Sequence, residues 1–268
     1  KMKHRGSMNM VQESLAEALI HRGWYNPFPK VRYSERPDAV ASMVLEGAIA
    51  ILCDNTPQVM IVPTSIFDFL QESDDFYLPP LIGTYLRLTR MAIFMLALVL
   101  TPTWYLLLSY PNAIPGWLRF IMIAEPAKIP LLAQLLMAEF MIDGLKLASL
   151  NTPSMLNNSL SVVGGLILGD FAVQVGWFCP DVILYMSIVA IAAFTQQSYE
   201  LGYAFKFIRI LTLIATAIFG IYGYLGSMLL FIILIATNRT VGGRGYLYPL
   251  IPLDLKALAL MFFRPRRK

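Results

Sequence analysis

Three charged side chains interrupt an apolar stretch near the middle of the chain. The stretch covers residues 129–150 and contains Glu139, Asp143 and Lys146. Residues three and four positions apart share one face of a helix, so these three form a narrow charged stripe. Rings of carboxylates select cations in channels, and carboxylates can also pair with cations to hold helices together. Two interpretations are therefore open: the stripe lines a pore or vestibule, or it forms structural salt bridges.

The apolar surroundings limit what this stripe can face. A charged residue at the centre of a bilayer makes membrane insertion of a helix less favourable by about 2.5–3.5 kcal/mol, whereas a leucine makes it more favourable by only about 0.3–0.6 kcal/mol. The stripe therefore faces water, protein or a pore rather than lipid. Glu139 and Asp143 are like charges four residues apart, which a purely structural helix avoids. Lys146 could neutralise one of them.

A second set of candidates lies in the apolar stretch at residues 161–178. Asp170 and Gln174 are four residues apart and share a helix face, which predicts hydrogen bonds between helices, with ion contact as the alternative. Gly165 and Gly169 have the spacing that lets two helices approach closely, so we interpret them as packing residues.

The composition indicates an integral membrane protein. Of 268 residues, 57% are hydrophobic and only 14% are charged, below the roughly 25% that is typical of soluble domains. The net charge of +4 comes from lysines and arginines at both ends and in short loops, a pattern that reflects membrane topology and not nucleic-acid binding. We therefore expect membrane lipid, and no nucleic acid, as a partner.

The residue types also argue against metal and enzyme chemistry. The only histidines are His4 and His21, and Cys53 and Cys179 lie far apart in the sequence. These residues form no pattern typical of a zinc site, a disulfide or a catalytic triad. We expect no metal, no cofactor and no enzymatic activity.

Apolar stretches predict the helices that position these residues. The run at residues 207–236 is too long for one crossing and contains Gly220, Gly223 and Gly226, so we predict two short spans joined by a glycine-rich turn, with a gate hinge as the minor alternative. Glu200, Lys206 and Arg209 are assigned to the loop and helix start that lead into it. The other predicted spans are residues 91–110, 129–150, 161–178 and 182–197.

Charge placement predicts about six crossings with both termini in the cytosol. When Arg87 and Arg90 are placed inside, alternating crossings bring most lysines and arginines to the same face. This arrangement requires residues 129–150 to cross the membrane. If they lie flat, the later basic clusters move outside, and the arrangement no longer follows the positive-inside rule.

The fold class is therefore mainly α: a polytopic α-helical membrane protein with a small N-terminal α/β soluble segment. We predict a cytosolic N-terminal segment and linker at 1–88, a transmembrane helical domain at 89–238 and a basic cytosolic tail at 239–268. Within the N-terminal segment, three prolines mark an extended linker, followed by a helix at 38–46 that Gly47 stops. A hairpin of two strands follows, at residues 48–53 and 58–62.

Several motifs resemble the family of spore germination receptor A subunits. They are Ser-Glu-Arg-Pro-Asp at 34–38, Leu-Glu-Gly at 45–47, Asp-Asn-Thr-Pro at 54–57, Ile-Val-Pro at 61–63 and Tyr-x-Tyr-Pro-Leu at 246–250. The resemblance covers about residues 24 to 260. The lead-in at 26–33 and Pro-Leu-Asp at 252–254 are closer to the stage V sporulation AF branch. Asn55 and Asp170 depart from the family, which has Gly and Gln at these positions.

The resemblance implies a subunit of a germination complex in the inner membrane of the bacterial endospore. Such subunits form homo-oligomers, with pentamers expected, that conduct cations, and they work with other germination membrane proteins. The N-terminal segment is then part of a larger cytosolic domain. Glu35, Arg36 and Asp38 lie at the junction between the soluble and membrane parts, where their role is structural or couples the two.

A monomeric secondary transporter of an ion or small solute is the alternative. A transporter would favour an internal repeat with broken helices in matching halves, and the sequence has no visible repeat of this kind.

Overall fold

The computed structural model describes residues 26–45, 47–53, 56–70, 78–151, 169, 171–196, 198–243, 245–251 and 253–255, without the side chains of 149–151. The chain divides into two compact units. The first unit comprises Lys1–Met91, Gln197–Ala204 and Phe231–Lys268. The second comprises Ala92–Gln196 and Phe205–Leu230.

A three-stranded antiparallel sheet lies in the first unit. Strand β1 is Arg32–Ser34, β2 is Ile49–Leu52 and β3 is Val59–Val62, and the order is β1-β3-β2. The central strand β3 is buried, with Met60 fully inaccessible to solvent. The predicted hairpin is confirmed, because β2 and β3 pair directly.

Strand β1 corrects the prediction of an extended linker. Arg32 pairs with Ile61 and Ser34 with Val59, so this segment completes the sheet on the free edge of β3. The flanking prolines, Pro29 and Pro37, suggested an unpaired segment. Both prolines lie outside β1, so the three residues of this strand can still donate to and accept from a neighbouring strand.

Helix α1, at Pro37–Leu45, confirms the predicted helix after the linker. Proline suits the first helical turn, where its missing N–H group has no partner to lose, and Asp38 in the same turn interacts favourably with the helix dipole. Gly47 follows with a φ of 99°, a conformation in which glycine ends helices readily.

Five longer helices account for most of the remaining described residues. They are α2 (Pro80–Ser109), α3 (Leu131–Asn151), α4 (Pro180–Phe194), α5 (Tyr199–Phe219) and α6 (Ile221–Thr237). Among the described residues, α2 and α5 are long and apolar enough to cross a membrane, and α4 and α6 are shorter apolar helices. The chain is thus mainly helical with a small sheet, and six crossings remain a prediction.

The break between α5 and α6 confirms the two predicted helices. Only Gly220 forms the turn, with a φ of 60°, whereas Gly223 and Gly226 lie inside α6. The start of α5 corrects the prediction, since the helix begins at Tyr199 rather than at 207 and Lys206 lies within it rather than in a loop.

Contacts within the second unit bring the ends of its helices together. The Trp104 indole donates to the Ile121 carbonyl at 2.9 Å, and the Cys179 amide donates to Gln134 Oε1 at 2.9 Å. The start of α3 therefore lies beside the start of α4. We call this the first end of the bundle. The core there contains Trp104, Leu135, Phe178, Val182 and Met186.

Candidate functional site

Charged side chains from α3 and α5 meet inside the second unit. Glu139 and Asp143 are four residues apart on α3, and Lys206 and Arg209 are three residues apart on α5, so each pair projects from one face of its helix. The two faces are turned toward each other, and every acidic group meets a basic one. We call these four residues, together with Lys146, the charged cluster.

The Glu139–Arg209 pair is the buried part of the cluster. Arg209 donates from Nε to Glu139 Oε1 at 2.6 Å and from Nη2 to Oε2 at 2.8 Å. Its Nη1 donates to the Ala97 carbonyl on α2 at 2.9 Å. The side chains of Glu139 and Arg209 are only 6% and 7% exposed. Such a two-bond pair is geometrically specific, and removing one partner of a buried pair costs about 3–5 kcal/mol.

The Asp143–Lys206 pair is the more accessible part. Lys206 Nζ forms an ion pair with Asp143 Oδ2, donates to the Glu139 carbonyl at 3.0 Å and lies 3.5 Å from Glu139 Oε2. The Asp143 side chain is 27% exposed. A single ammonium on a flexible stem holds its partner less rigidly than a guanidinium does, so this pair is the weaker of the two.

Lys146 lies at the other end of the cluster. Its ammonium is 5.5 Å from the centre of the Phe194 ring, and it also interacts electrostatically with Asp143, Lys206, Arg209 and Glu139. The cluster therefore combines two carboxylates with three cations. In this conformation it is not acidic overall.

The cluster bears on both interpretations of the stripe. The contacts of Glu139 correspond to structural pairing between helices, and Lys206 and Arg209 supply directly bonded cations. Lining of a pore by Glu139, Asp143 and Lys146 stays a prediction, because it depends on further copies of the chain. Sequence reasoning missed Lys206 and Arg209 as partners. Their three-residue spacing beside an apolar run was the available signal.

The second set of predicted residues is only partly described. Asp170 and Gly165 lie outside the described residues. Gln174 is exposed, and a methyl group added at Gly169 would meet nothing within 4 Å in the described part of the chain. The predicted hydrogen bonding of Asp170 and Gln174, and close packing at Gly165 and Gly169, stay predictions.

The junction motif forms a compact turn between β1 and α1. Ser34 Oγ accepts from the Arg36 amide at 3.2 Å, and Arg36 pairs with Asp38 at 3.0 Å. Glu35 accepts from Gln58 Nε2 at 3.0 Å. The Arg36 and Asp38 side chains are 45% and 40% exposed. These contacts stabilise the turn, and a coupling role stays a prediction.

Tyr246 is a buried residue of the C-terminal region that sequence reasoning used only as part of a motif. It is fully buried, and its hydroxyl donates to the Pro29 carbonyl at 2.8 Å. Its ring lies 6.2 Å from that of Phe28, and its carbonyl accepts from the Ile66 amide at 3.1 Å. The start of the predicted tail thus packs with the N-terminal segment inside the first unit.

The environment of Tyr246 keeps its hydroxyl protonated. Burial is the main cause that raises the pKa of this phenol above its usual 10.0, and the negative charges of Asp68 and Glu200 raise it further. A neutral hydroxyl is the form that can donate to Pro29.

The sequence profile of the Bacillus/Clostridium GerA spore germination protein family matches residues 7–268. The chain belongs to this family. The predicted resemblance to germination receptor A subunits is confirmed. No solved structure matches this GerA-family chain.

The chain is also similar to three individual proteins from Bacillus subtilis (strain 168). The chain is 36% identical over 251 residues to Stage V sporulation protein AF, covering 94% of this chain and 50% of the relative. It is 31% identical to Spore germination protein A1, over 84% of this chain and 46% of the relative. It is 30% identical to Uncharacterized membrane protein YfkQ, over 82% of this chain and 44% of the relative. The chain spans about half the length of the curated relatives it matches.

Proposed function

We propose that this chain is a membrane subunit of a spore germination complex and that copies of it assemble into a cation-conducting channel that releases ions during germination. The membrane is the inner membrane of the endospore, with both termini in the cytosol. The other partners are germination membrane proteins. The names of its relatives support the germination role, and its apolar helices support the membrane location.

The charged cluster is the observation that carries the channel proposal. At a rise of 1.5 Å per residue, Glu139 lies about 12 Å from the start of α3, near the middle of a helix roughly 30 Å long. Ionisable groups at that depth are costly and mark ion pathways in membrane proteins. Asp143 and Lys146 are partly exposed and would contact the pathway. Glu139 is buried and would hold α3 in position through its pairing with Arg209.

The first test is whether the purified protein forms a ring that passes cations. The protein is reconstituted in liposomes, K⁺ efflux and K⁺/Cl⁻ permeability are measured, and the oligomer is sized by light scattering. A ring with K⁺ efflux above that of protein-free liposomes supports the proposal. A ring without efflux contradicts it, and saturable solute uptake by a monomer favours the transporter.

The second test removes the accessible carboxylate. Asp143→Asn is expected to lower the K⁺/Cl⁻ permeability ratio by about fivefold or more. A unit charge roughly 8 Å from a permeating cation contributes about 2 kcal/mol at an effective dielectric constant of 20, before screening. Glu125→Gln is the matched control, because Glu125 is an exposed carboxylate in the connector between α2 and α3. An unchanged ratio in Asp143→Asn would remove this residue from the pathway.

A further inference from the structure

The charged cluster conflicts with cation selection in the conformation that the structure describes. A site that selects cations needs a net negative charge along the pathway. Here both carboxylates of α3 are held by cations of α5, and Lys146 adds a third positive charge nearby. A permeating K⁺ would meet a neutral or positive surface.

The two ion pairs differ in how readily they can separate. Arg209 is held at three points, by two oxygens of Glu139 and by the Ala97 carbonyl, and it is nearly inaccessible to solvent. Lys206 contacts Asp143, the Glu139 carbonyl and Glu139 Oε2 through one ammonium at the end of a flexible stem, and Asp143 already reaches solvent. A lysine side chain can swing away on its flexible stem without movement of the backbone, whereas the planar guanidinium would lose several bonds at once.

We propose that Lys206 is the specificity-determining residue of this channel: it is a tethered counter-cation that masks Asp143 in the closed conformation and leaves it when the pathway opens. Arg209 acts as a positioning residue, which keeps Glu139 and α3 in place while Lys206 moves. This inference rests on the proposed channel function. It assigns to Lys206 and Arg209 roles that the acidic stripe alone does not predict.

Removal of the Lys206 charge is the direct test. Lys206→Gln is expected to raise the resting K⁺ efflux several-fold and to raise the K⁺/Cl⁻ permeability ratio, because Asp143 is then unmasked. Lys206→Arg keeps the positive charge but places there a guanidinium that separates less readily from its partners, so its resting K⁺ efflux should fall below that of the original protein. Lys128→Gln is the matched control, since Lys128 is an exposed lysine that donates to the Val175 carbonyl away from the cluster.

A double variant tests the partner. In Lys206→Gln with Asp143→Asn, the added efflux should disappear and the K⁺/Cl⁻ permeability ratio should match that of Asp143→Asn alone, because the unmasked charge is gone. Suppose that the original protein conducts and that Lys206→Gln is folded. If the two then show equal efflux and equal selectivity, the masking role of Lys206 is wrong, whereas the channel proposal still holds. If no form of the protein passes K⁺, the channel proposal fails and the masking role fails with it.

A charge exchange tests the contact independently of ion flux. Asp143→Lys and Lys206→Asp should each lower the melting temperature in detergent, and the double variant should recover at least half of the summed loss. Recovery supports the pairing even if Lys206→Gln folds poorly. A double variant no more stable than the sum of its single changes would overturn the proposal.

Discussion

At the scale of single residues, Tyr246 connects distant parts of the first unit. Its hydroxyl reaches the Pro29 carbonyl, its ring packs near Phe28, and its main chain bonds to Asn238 and Ile66. Because the phenol is buried, it must stay neutral in the folded state. The contact therefore makes a distinct contribution to stability that depends on pH.

The sign of this pH dependence follows from the raised pKa of Tyr246. Below about pH 10 the phenol is protonated in both the folded and the unfolded chain. Above it, the unfolded chain releases the proton while the folded chain keeps it, so the free energy of unfolding falls as pH rises. Tyr246→Phe should lower stability by about 1 kcal/mol at neutral pH through loss of the hydrogen bond, and it should flatten the decline above pH 10.

Thermal unfolding in detergent between pH 7 and 11 measures both effects, with pH points spaced through the phenol's titration range. Tyr222→Phe is the control, because Tyr222 is 81% exposed. If Tyr246→Phe declines with pH as steeply as the original protein, then titration of Tyr246 does not explain the slope.

The charged cluster illustrates which residues a sequence can identify. Glu139 and Asp143 stand out because a carboxylate inside an apolar stretch is costly and needs a reason to be there. Lys206 and Arg209 do not, because basic residues beside a span usually mark a cytosolic loop. Their pairing with residues about 70 positions earlier, as in the contact of Arg209 with Glu139, depends on helix packing that no local pattern encodes.

At the scale of elements, the α5–α6 pair depends on one glycine inside α6. A Cβ atom at Gly223 would overlap the Ala215 carbonyl oxygen and lie 3.1 Å from Phe219 Cβ. The backbone oxygen belongs to α5 and cannot move aside like a flexible side chain. Gly226 lies one turn later, and a Cβ there would meet nothing within 4 Å.

This contrast predicts opposite results for two alanine substitutions in α6. Gly223→Ala should destabilise the protein by about 1–3 kcal/mol, the usual range for overpacking. Gly226→Ala should be neutral or stabilising by up to about 1 kcal/mol, because alanine favours a helix over glycine. Melting temperatures of the two variants in the same detergent test this, and equal melting temperatures would contradict close packing at Gly223.

Secondary structure was predictable where the signal is local. The hairpin of β2 and β3 follows from two apolar runs around a turn, and α1 follows from a proline start and a glycine stop. Strand β1 was missed because its partner β3 lies far along the chain. The start of α5 was misplaced because its charges are stabilised by α3 rather than by water.

At the scale of the whole molecule, the direction of α3 decides the membrane topology. Helices α3 and α4 run parallel within the second unit, since Gln134 and Cys179 meet at the first end and Lys146 lies over Phe194 farther along both helices. Two parallel neighbours require the chain between them to return along the bundle. The predicted span at 161–178 would supply this return. Residues 161–168 and 170 of it lie outside the described residues, and its last helical residue is Gln174 rather than 178.

This order predicts that Asn112 and Thr195 lie on opposite sides of the membrane. Three crossings separate them if α3, the segment at 161–178 and α4 all span the bilayer, whereas two separate them if one of these segments does not cross. In a background without Cys53 and Cys179, a membrane-impermeant thiol reagent applied to the outer face should label Asn112→Cys. It should label Thr195→Cys only after permeabilisation, because both residues are exposed to solvent at their bundle ends. Labelling of both from one side would show that one of these three segments does not cross, and it would contradict the predicted topology.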